Sequence, residues 1–372
     1  MDKIQQIEKY LTEMISARKI AGCAATVWQK GKCVFRAFKG TLDGEHAVGE
    51  HSAFRLASMT KPITAVAVLL CVQDGLLKLT DPISAYLPAF FELWVAKKTE
   101  KGYIKGERAK PVTIWNLLTH TSGIGSGEAG NAQYDVFKPR EGDTLASAVD
   151  RYAGILLDFQ PGSAQMYSPV MALDIAARIV EVVSGKPYDE FLKERIFRPL
   201  GMEETSYRLT DYRKEDLALT CKHEDGKLIA EPLLYNFNTF PAGYTGGGAE
   251  LLSTLDDYCR FAEMLRRVHA GGEGILSPAL VREMATPQLD GSYAGVTLIF
   301  NWGLAVRTLS AQTDDQPLSV GSFGWSGAYG THFWVDPSKQ LVAVYMHNSA
   351  TYGGAGAPHT YAFERAVMKD FE

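Results

Sequence analysis

The chain has 372 residues, 46% of them hydrophobic and 22% charged, enough apolar material for a large core or two subdomains of a soluble globular protein. A formal net charge of −5, with Lys and Arg scattered rather than in blocks, argues against nucleic acid or any other polyanion as partner. The charged N-terminus lacks the apolar core of a signal peptide and no run is long enough to span a membrane, so a cytoplasmic protein without a membrane partner is expected. Its five cysteines are odd in number and widely spaced, which reads as free buried thiols rather than a disulfide frame or a zinc site.

In chain order, Ile4, Ile7, Leu11, Met14 and Ile15 form one stripe, predicting an amphipathic helix over residues 3–19. Two strands, 23–29 and 32–38, flank Lys30-Gly31 and predict a tight antiparallel hairpin. The stretch Ser58-Met59-Thr60-Lys61-Pro62 then opens an apolar run that reads as a helix ending near Asp74-Gly75. From Leu79 to about residue 160 strand signals fade. His120, after the helical Trp115 to Thr119, reads as a helix-end residue that satisfies nearby carbonyls. Gly125 to Gly130 formally spell G-x-G-x-x-G, but no strand precedes them, so they read as a flexible loop and not as a dinucleotide site.

Helices are expected over 169–184 and 188–196, and again after the glycine-rich turn Gly246-Gly247-Gly248, where Thr254 caps. That turn lacks the Lys-Ser/Thr of a phosphate cradle, so its glycines point to close backbone packing against a site or a strand. The last third returns to strands at 301–309, 318–325, 330–335 and 340–347, with a turn at 336–339 and a closing helix over 358–371. Strands at both ends with helices between them predict a mixed α/β (α+β) fold. One antiparallel sheet is built from both termini and flanked by helices, within a single domain over 1–372. Its sheet subdomain covers about 1–75 and 205–372, and a mostly helical insertion covers about 76–204.

Ser58 and Lys61 stand three residues apart and share a helix face, which brings an amine within reach of a hydroxyl. A serine hydroxyl needs a base to become a nucleophile, and a lysine serves only after losing its own proton. Taking a lysine from about 10.4 to about 7 costs roughly 4 to 5 kcal/mol, which a desolvated pocket with a neighbouring cation can impose. Two further stretches add to the pair. Tyr167, in Gln165-Met166-Tyr167-Ser168-Pro169, could relay a proton between serine, lysine and leaving group. Gly324-Trp325-Ser326-Gly327-Ala328-Tyr329 has small residues that would let a substrate lie along the backbone and bring an amide to a developing oxyanion. A rival array would use Ser326 as nucleophile and His332 or His347 as base. It lacks the last glycine of G-x-S-x-G and a following helix.

With these motifs in order, the chain resembles the serine β-lactamase and penicillin-binding protein superfamily, nearest its class C-like branch with the family VIII esterases and statin-type acyltransferases. Ser58-Met59-Thr60-Lys61 matches the first motif, Tyr167-Ser168 the second, and Trp325-Ser326-Gly327 stands where lactamases have Lys-Thr-Gly. The resemblance implies a β-lactamase-like fold, Ser58 as the acylated nucleophile, Lys61 and Tyr167 as the proton-transfer pair, and the amides of Ser58 and Ala328 as oxyanion hole. Trp325, Ser326 and Gly327 would bind substrate. No cofactor or metal is implied, and the partner is a small ester or amide. Pro169 departs from the family's common asparagine, which would bind a substrate amide or position Lys61, and Trp325 from the lysine that anchors a substrate carboxylate. Both departures point away from penicillins and D-Ala-D-Ala peptides toward apolar esters. The expectation is a serine hydrolase acting on small or apolar acyl esters. The alternatives are an acyltransferase, a weak β-lactamase or D-amino-acid peptidase, and a sensor that acylates without turnover.

Overall fold

Lys30 and Gly31 both adopt left-handed φ, 53° and 77°, the twist a two-residue hairpin needs, so β1 (Gly22–Gln29) folds directly back on β2 (Lys32–Gly40) in the computed structural model. The structure describes residues 4–224, 227–231, 244–297, 299–313 and 316–371. Five more strands come from the far end of the chain: β3 (Phe300–Trp302), β4 (Arg307–Leu309), β5 (Phe323–Ser326), β6 (His332–Asp336) and β7 (Leu341–His347). All pair antiparallel in the order β3-β4-β5-β6-β7-β1-β2, with Cys23 opposite His347 and Gln29 opposite Leu341 where the two ends of the chain meet. The expected strand over 301–309 is a hairpin instead. Ala305 turns left-handed at φ 57° and a Cβ on Gly303 would stand 2.0 Å from Met284 O, so the chain reverses there.

Period-two alternation sorts the sheet's side chains into two layers. Leu341, Ala343, Tyr345 and Trp334 pack under the terminal helices α1 (Gln6–Ser16) and α5 (Pro358–Asp370). Residue 3 of the expected first helix lies outside the described residues. Val342, Val344, Phe333 and Trp325 face the larger core, which holds α2 (Thr60–Gln73), α3 (Met171–Ser184) and α4 (Leu255–His269). Helix α2 is buried all round from Thr60 to Cys71, so it lies at the centre of the molecule.

The region 76–204 is not purely helical. Trp94–Thr99 and Gly102–Arg108 form a hairpin, joined in parallel by Leu156–Leu157. Its lysines and largely exposed faces leave none of the apolar alternation that would have announced it. The G-x-G-x-x-G stretch is also corrected. The Asp158 carboxylate accepts from the amides of Ser126, Gly127 and Gly130, at 3.1, 2.7 and 3.0 Å, and a helix, Glu128–Phe137, begins within it. The chain's own carboxylate occupies the place an anion would take.

Candidate active site

The turn that carries Ser58 is strained. Ala57 has φ 45°, a left-handed conformation that costs an alanine of order 1 kcal/mol, and Ala57–Met59 form a single 3-10 turn before α2 begins at Thr60. The neighbourhood holds that geometry: Leu56 N donates to Leu251 O at 2.9 Å, and Tyr258 OH to Met59 O at 2.9 Å. Lys61 follows one turn later with its side chain fully buried. Its Nζ lies 3.2 Å from Ser58 Oγ, 2.6 Å from Pro169 O and 2.8 Å from Gly248 O. Two of its three tetrahedral hydrogen-bonding directions therefore go to carbonyls and the third to the serine.

Both carbonyls come from stretches singled out in the sequence. Pro169, at the position where the resemblance implies an asparagine side chain, serves the lysine with its main-chain oxygen as a fixed partner. Gly248 belongs to the glycine-rich turn, where a Cβ on Gly247 would stand 2.3 Å from Leu173 O and one on Gly248 2.9 Å from Val170 Cα. Only glycines allow this backbone to come so near α3.

Tyr167 brings its ring centroid to 5.0 Å from Lys61 Nζ, and its phenol oxygen accepts from Trp325 Nε1 at 3.2 Å. Trp302 stacks on the tyrosine at 5.7 Å and meets Trp325 edge-on at 4.6 Å. His120 closes the cluster, 4.6 Å from Tyr167 and 4.5 Å from Trp302. It does not serve carbonyls as its position at a helix end suggested. Its φ is 57°, and Nδ1 accepts the Ser168 amide at 3.2 Å, which assigns the proton to Nε2. Burial, with Lys61 adding to it, pushes this imidazole well below its ordinary 6.5, so it is neutral.

The ionisable groups behind Lys61 include two carboxyls, Asp174 and Glu250, where the sequence suggested a neighbouring cation. Asp174 Oδ1 accepts from Gly248 N at 2.9 Å, and Oδ2 from Tyr244 OH at 2.5 Å and Tyr152 OH at 3.3 Å. Burial lifts it to about 6 even though those hydrogen bonds and Lys61 pull it down. Glu250 is pushed well above the usual carboxyl range by burial and then by Asp174.

Strand β5 approaches the Ser58 turn edge-on. Thr331 Oγ1 donates to Leu56 O at 2.9 Å, and a Cβ on Gly327 would stand 2.2 Å from that same oxygen. Ala328 follows, itself exposed in an otherwise buried turn closed by Gly327 N to Thr331 O at 2.7 Å, and among the described residues its own amide has no hydrogen-bond acceptor. Ser326 is the exception among the expected site residues. It lies on the opposite sheet face from Trp325, is 3% exposed, and its Oγ is 2.8 Å from His332 Nδ1. His332 Nε2 in turn lies 3.1 Å from Glu364 Oε1 on α5. The Ser326–His332 pair is sealed beneath the C-terminal helix, and among the described residues neither His332 Nε2 nor Glu364 Oε1 has a hydrogen-bond partner, so no hydrogen-bonded relay continues to the carboxylate.

The structure thus gathers Ser58, Lys61, Tyr167, Trp325 and the Gly327-Ala328 turn, and turns the Ser326 side chain away. Sequence reasoning missed Trp302, Asp174 and Glu250 as site neighbours. A tryptophan in a strand and an acid in an apolar helix carry no local signal of what they will face. Among the described residues no helix is long and apolar enough to cross a membrane.

Comparison with known proteins finds relatives along most of the chain. The chain is 29% identical over 397 residues to esterase EstB of Burkholderia gladioli, covering 97% of this chain and 94% of that one. It is 34% identical over 251 residues to lovastatin esterase of Penicillium rubens, covering 62% of this chain and 58% of that one. Its fold superposes with a TM-score of 0.82 on EstCE1, a hydrolase with promiscuous acyltransferase activity, at 24% identity over 98% of this chain and 97% of that one. The beta-lactamase family model matches residues 5–366, and the chain belongs to the beta-lactamase family.

Proposed function

We propose that the chain is a serine hydrolase that forms an acyl-enzyme at Ser58, acting on small or apolar carboxylic esters. One observation carries this reading: Lys61 Nζ spends two hydrogen-bonding directions on fixed carbonyls and aims the third at Ser58 Oγ, 3.2 Å away. As a neutral amine it presents a lone pair there, takes the hydroxyl proton as oxygen attacks the ester carbon, and holds it as an ammonium against the same two carbonyls. Tyr167, over the amine and fixed by Trp325, passes a proton to the departing alkoxide. The amides of Ser58 and Ala328 bind the oxyanion, a contribution of about 3 to 4 kcal/mol per donor. Water then attacks the acyl carbon, the proton returns through the same pair, and carboxylic acid leaves.

The aromatic wall of Tyr167, Trp302 and Trp325 favours neutral, apolar groups over a carboxylate. Likeness to an esterase along nearly the whole chain supports the same substrate class. A second reading, transfer of the acyl group to an alcohol, uses the same residues with an alcohol in place of water.

The test is hydrolysis of chromogenic short-chain esters compared with a cephalosporin, with mass spectrometry of the intact protein. Ester turnover, a transient acyl mass on the peptide containing Ser58, and loss of both in Ser58→Ala support the proposal. Turnover that survives in Ser58→Ala, or a stable adduct with no turnover, overturns it. Added alcohol that diverts product to a new ester selects the transferase reading.

A further inference from the structure

The carboxyls of Asp174 and Glu250 lie in the core behind Lys61, and the mechanism above uses neither. Asp174 reaches the lysine through one residue: Gly248 gives its N–H to Asp174 Oδ1 at 2.9 Å and its carbonyl to Lys61 Nζ at 2.8 Å. Glu250 stands beside the same turn. Its Oε2 and Asp174 Oδ1 both lie within 2.7 Å of the point a Cβ on Gly246 would occupy, so the two carboxyls are neighbours. Two like charges this close in a buried site do not both ionise.

The hydrogen bonds decide which carboxyl keeps the charge. Three donors converge on Asp174, from Gly248 N, Tyr244 OH and Tyr152 OH. Glu250 receives the Ala249 amide on Oε2 at 3.0 Å, while its buried Oε1 has no hydrogen-bond partner among the described residues. An ion is favoured where donors converge and disfavoured where an oxygen is buried bare.

The other titratable groups near the pair are accounted for. Lys61 faces it from α2, Tyr152 from the helix Leu145–Tyr152, and Tyr134, Tyr188 and Tyr207 surround it as phenols that burial holds un-ionised. His120, on the far side of the lysine, is neutral. Arg151 lies one residue from Tyr152 but is bound by Asp143 at 3.0 Å.

We propose that Asp174 is a positioning residue for the Lys61 amine, holding a single negative charge behind it and fixing the Gly248 carbonyl, while Glu250 carries the proton of the carboxyl pair. The inference rests on the role assigned to Lys61 above. Asp174 touches neither substrate nor Ser58. It acts by setting where the lysine nitrogen points and how readily that nitrogen gives up its proton.

The test measures kcat/KM for a short-chain p-nitrophenyl ester against pH in the wild-type chain, Asp174→Asn and Glu250→Gln, alongside infrared spectra of the buried protonated-carboxyl stretch. Removing the anion lets the amine lose its proton more easily. Asp174→Asn is therefore expected to move the acid limb of the profile down by about one pH unit and to lower its plateau about 30-fold, as its amide NH2 meets the Tyr244 and Tyr152 hydroxyls where a carboxylate oxygen accepted them and disturbs the turn that aims the Gly248 carbonyl. Glu250→Gln replaces one neutral group by another, so the limb stays in place and the infrared band disappears.

An unmoved limb in Asp174→Asn with only a lower plateau marks a purely structural residue and overturns the proposal, as does a carboxyl band that persists in Glu250→Gln. Should Asp174→Asn fail to fold, Tyr244→Phe removes one donor from the same carboxylate and is expected to move the limb in the same direction by less. A fixed limb there is equally fatal. The infrared result does not depend on Ser58, so turnover that persists in Ser58→Ala brings down the proposed function while the band still decides where the proton sits.

Discussion

Thr331 and Leu56, 275 residues apart in the chain, are joined by one hydrogen bond of 2.9 Å from the threonine hydroxyl to the leucine carbonyl. Both are buried, and the bond ties the β5–β6 turn to the turn that presents Ser58. Thr331→Val keeps the shape and leaves that carbonyl bare, at a cost of about 1 to 3 kcal/mol. Thermal unfolding should register the loss. If the proposed function holds, ester kcat/KM should fall about tenfold with KM little changed, because the bond ties the turn that carries Ser58 to the one that carries the Ala328 amide. An unaltered kcat would separate this contact from catalysis.

Gly327 is the tighter constraint in the same corner. Any side chain there meets Leu56 O and Thr331 Oγ1 at 2.2 Å, so Gly327→Ala must push β5 away from the Ser58 turn. A loss of about 2 to 3 kcal/mol in stability is expected, with turnover reduced at least 100-fold. Denaturant melts and steady-state kinetics on the same preparation check both.

Lys61→Met tests the base while keeping most of the buried volume. The thioether gives Pro169 O and Gly248 O no donor, so some stability is lost. The larger effect is on chemistry, where removing a general base costs about 10²- to 10⁴-fold. Stopped-flow acylation should show the loss in the first step rather than in deacylation alone. Near-normal acylation would assign the proton transfer elsewhere.

Acid should weaken the fold through buried neutral histidines. Burial lowers His347 to about 3, against an ordinary 6.5. Below 6.5 the unfolded chain therefore takes up a proton that the folded chain refuses, and stability falls as pH drops from about 6.5 toward 3. The full interval is worth on the order of 5 kcal/mol. His120 acts in the same sense. Asp174, raised to about 6, acts in the opposite sense, because its folded form holds a proton between about 4 and 6 that the unfolded chain releases. His347→Gln, whose amide oxygen can still accept the Ser349 N–H, should flatten the dependence of Tm on pH between 4 and 6.5. A parallel curve would show that the histidine is not its source.

Short-range pattern was enough to identify the terminal strands, the Lys30-Gly31 hairpin, the apolar helix after Ser58 and the antiparallel sheet shared by both ends, because side-chain period and turn chemistry are local properties. The three-residue spacing of Ser58 and Lys61 belongs to the same class, since one turn of helical backbone brings them together, although contacts from Leu251 and Tyr258 hold the strained turn in place. The hairpin at 94–108 escaped because an exposed, lysine-bearing pair of strands need not alternate.

Other relationships were decided by packing alone. Pro169 and Gly248 hold the lysine with main-chain oxygens, which any residue type carries, so no motif could announce them. Ser326 was aimed at the α5 side by the pleat of β5, and Asp174 was set behind the amine by the approach of α3 to a glycine turn 74 residues later. Sequence by itself determined which groups could react. Only the tertiary structure decided which of them meet, because burial, strand facing and the direction of a carbonyl arise from contacts between segments far apart in the chain.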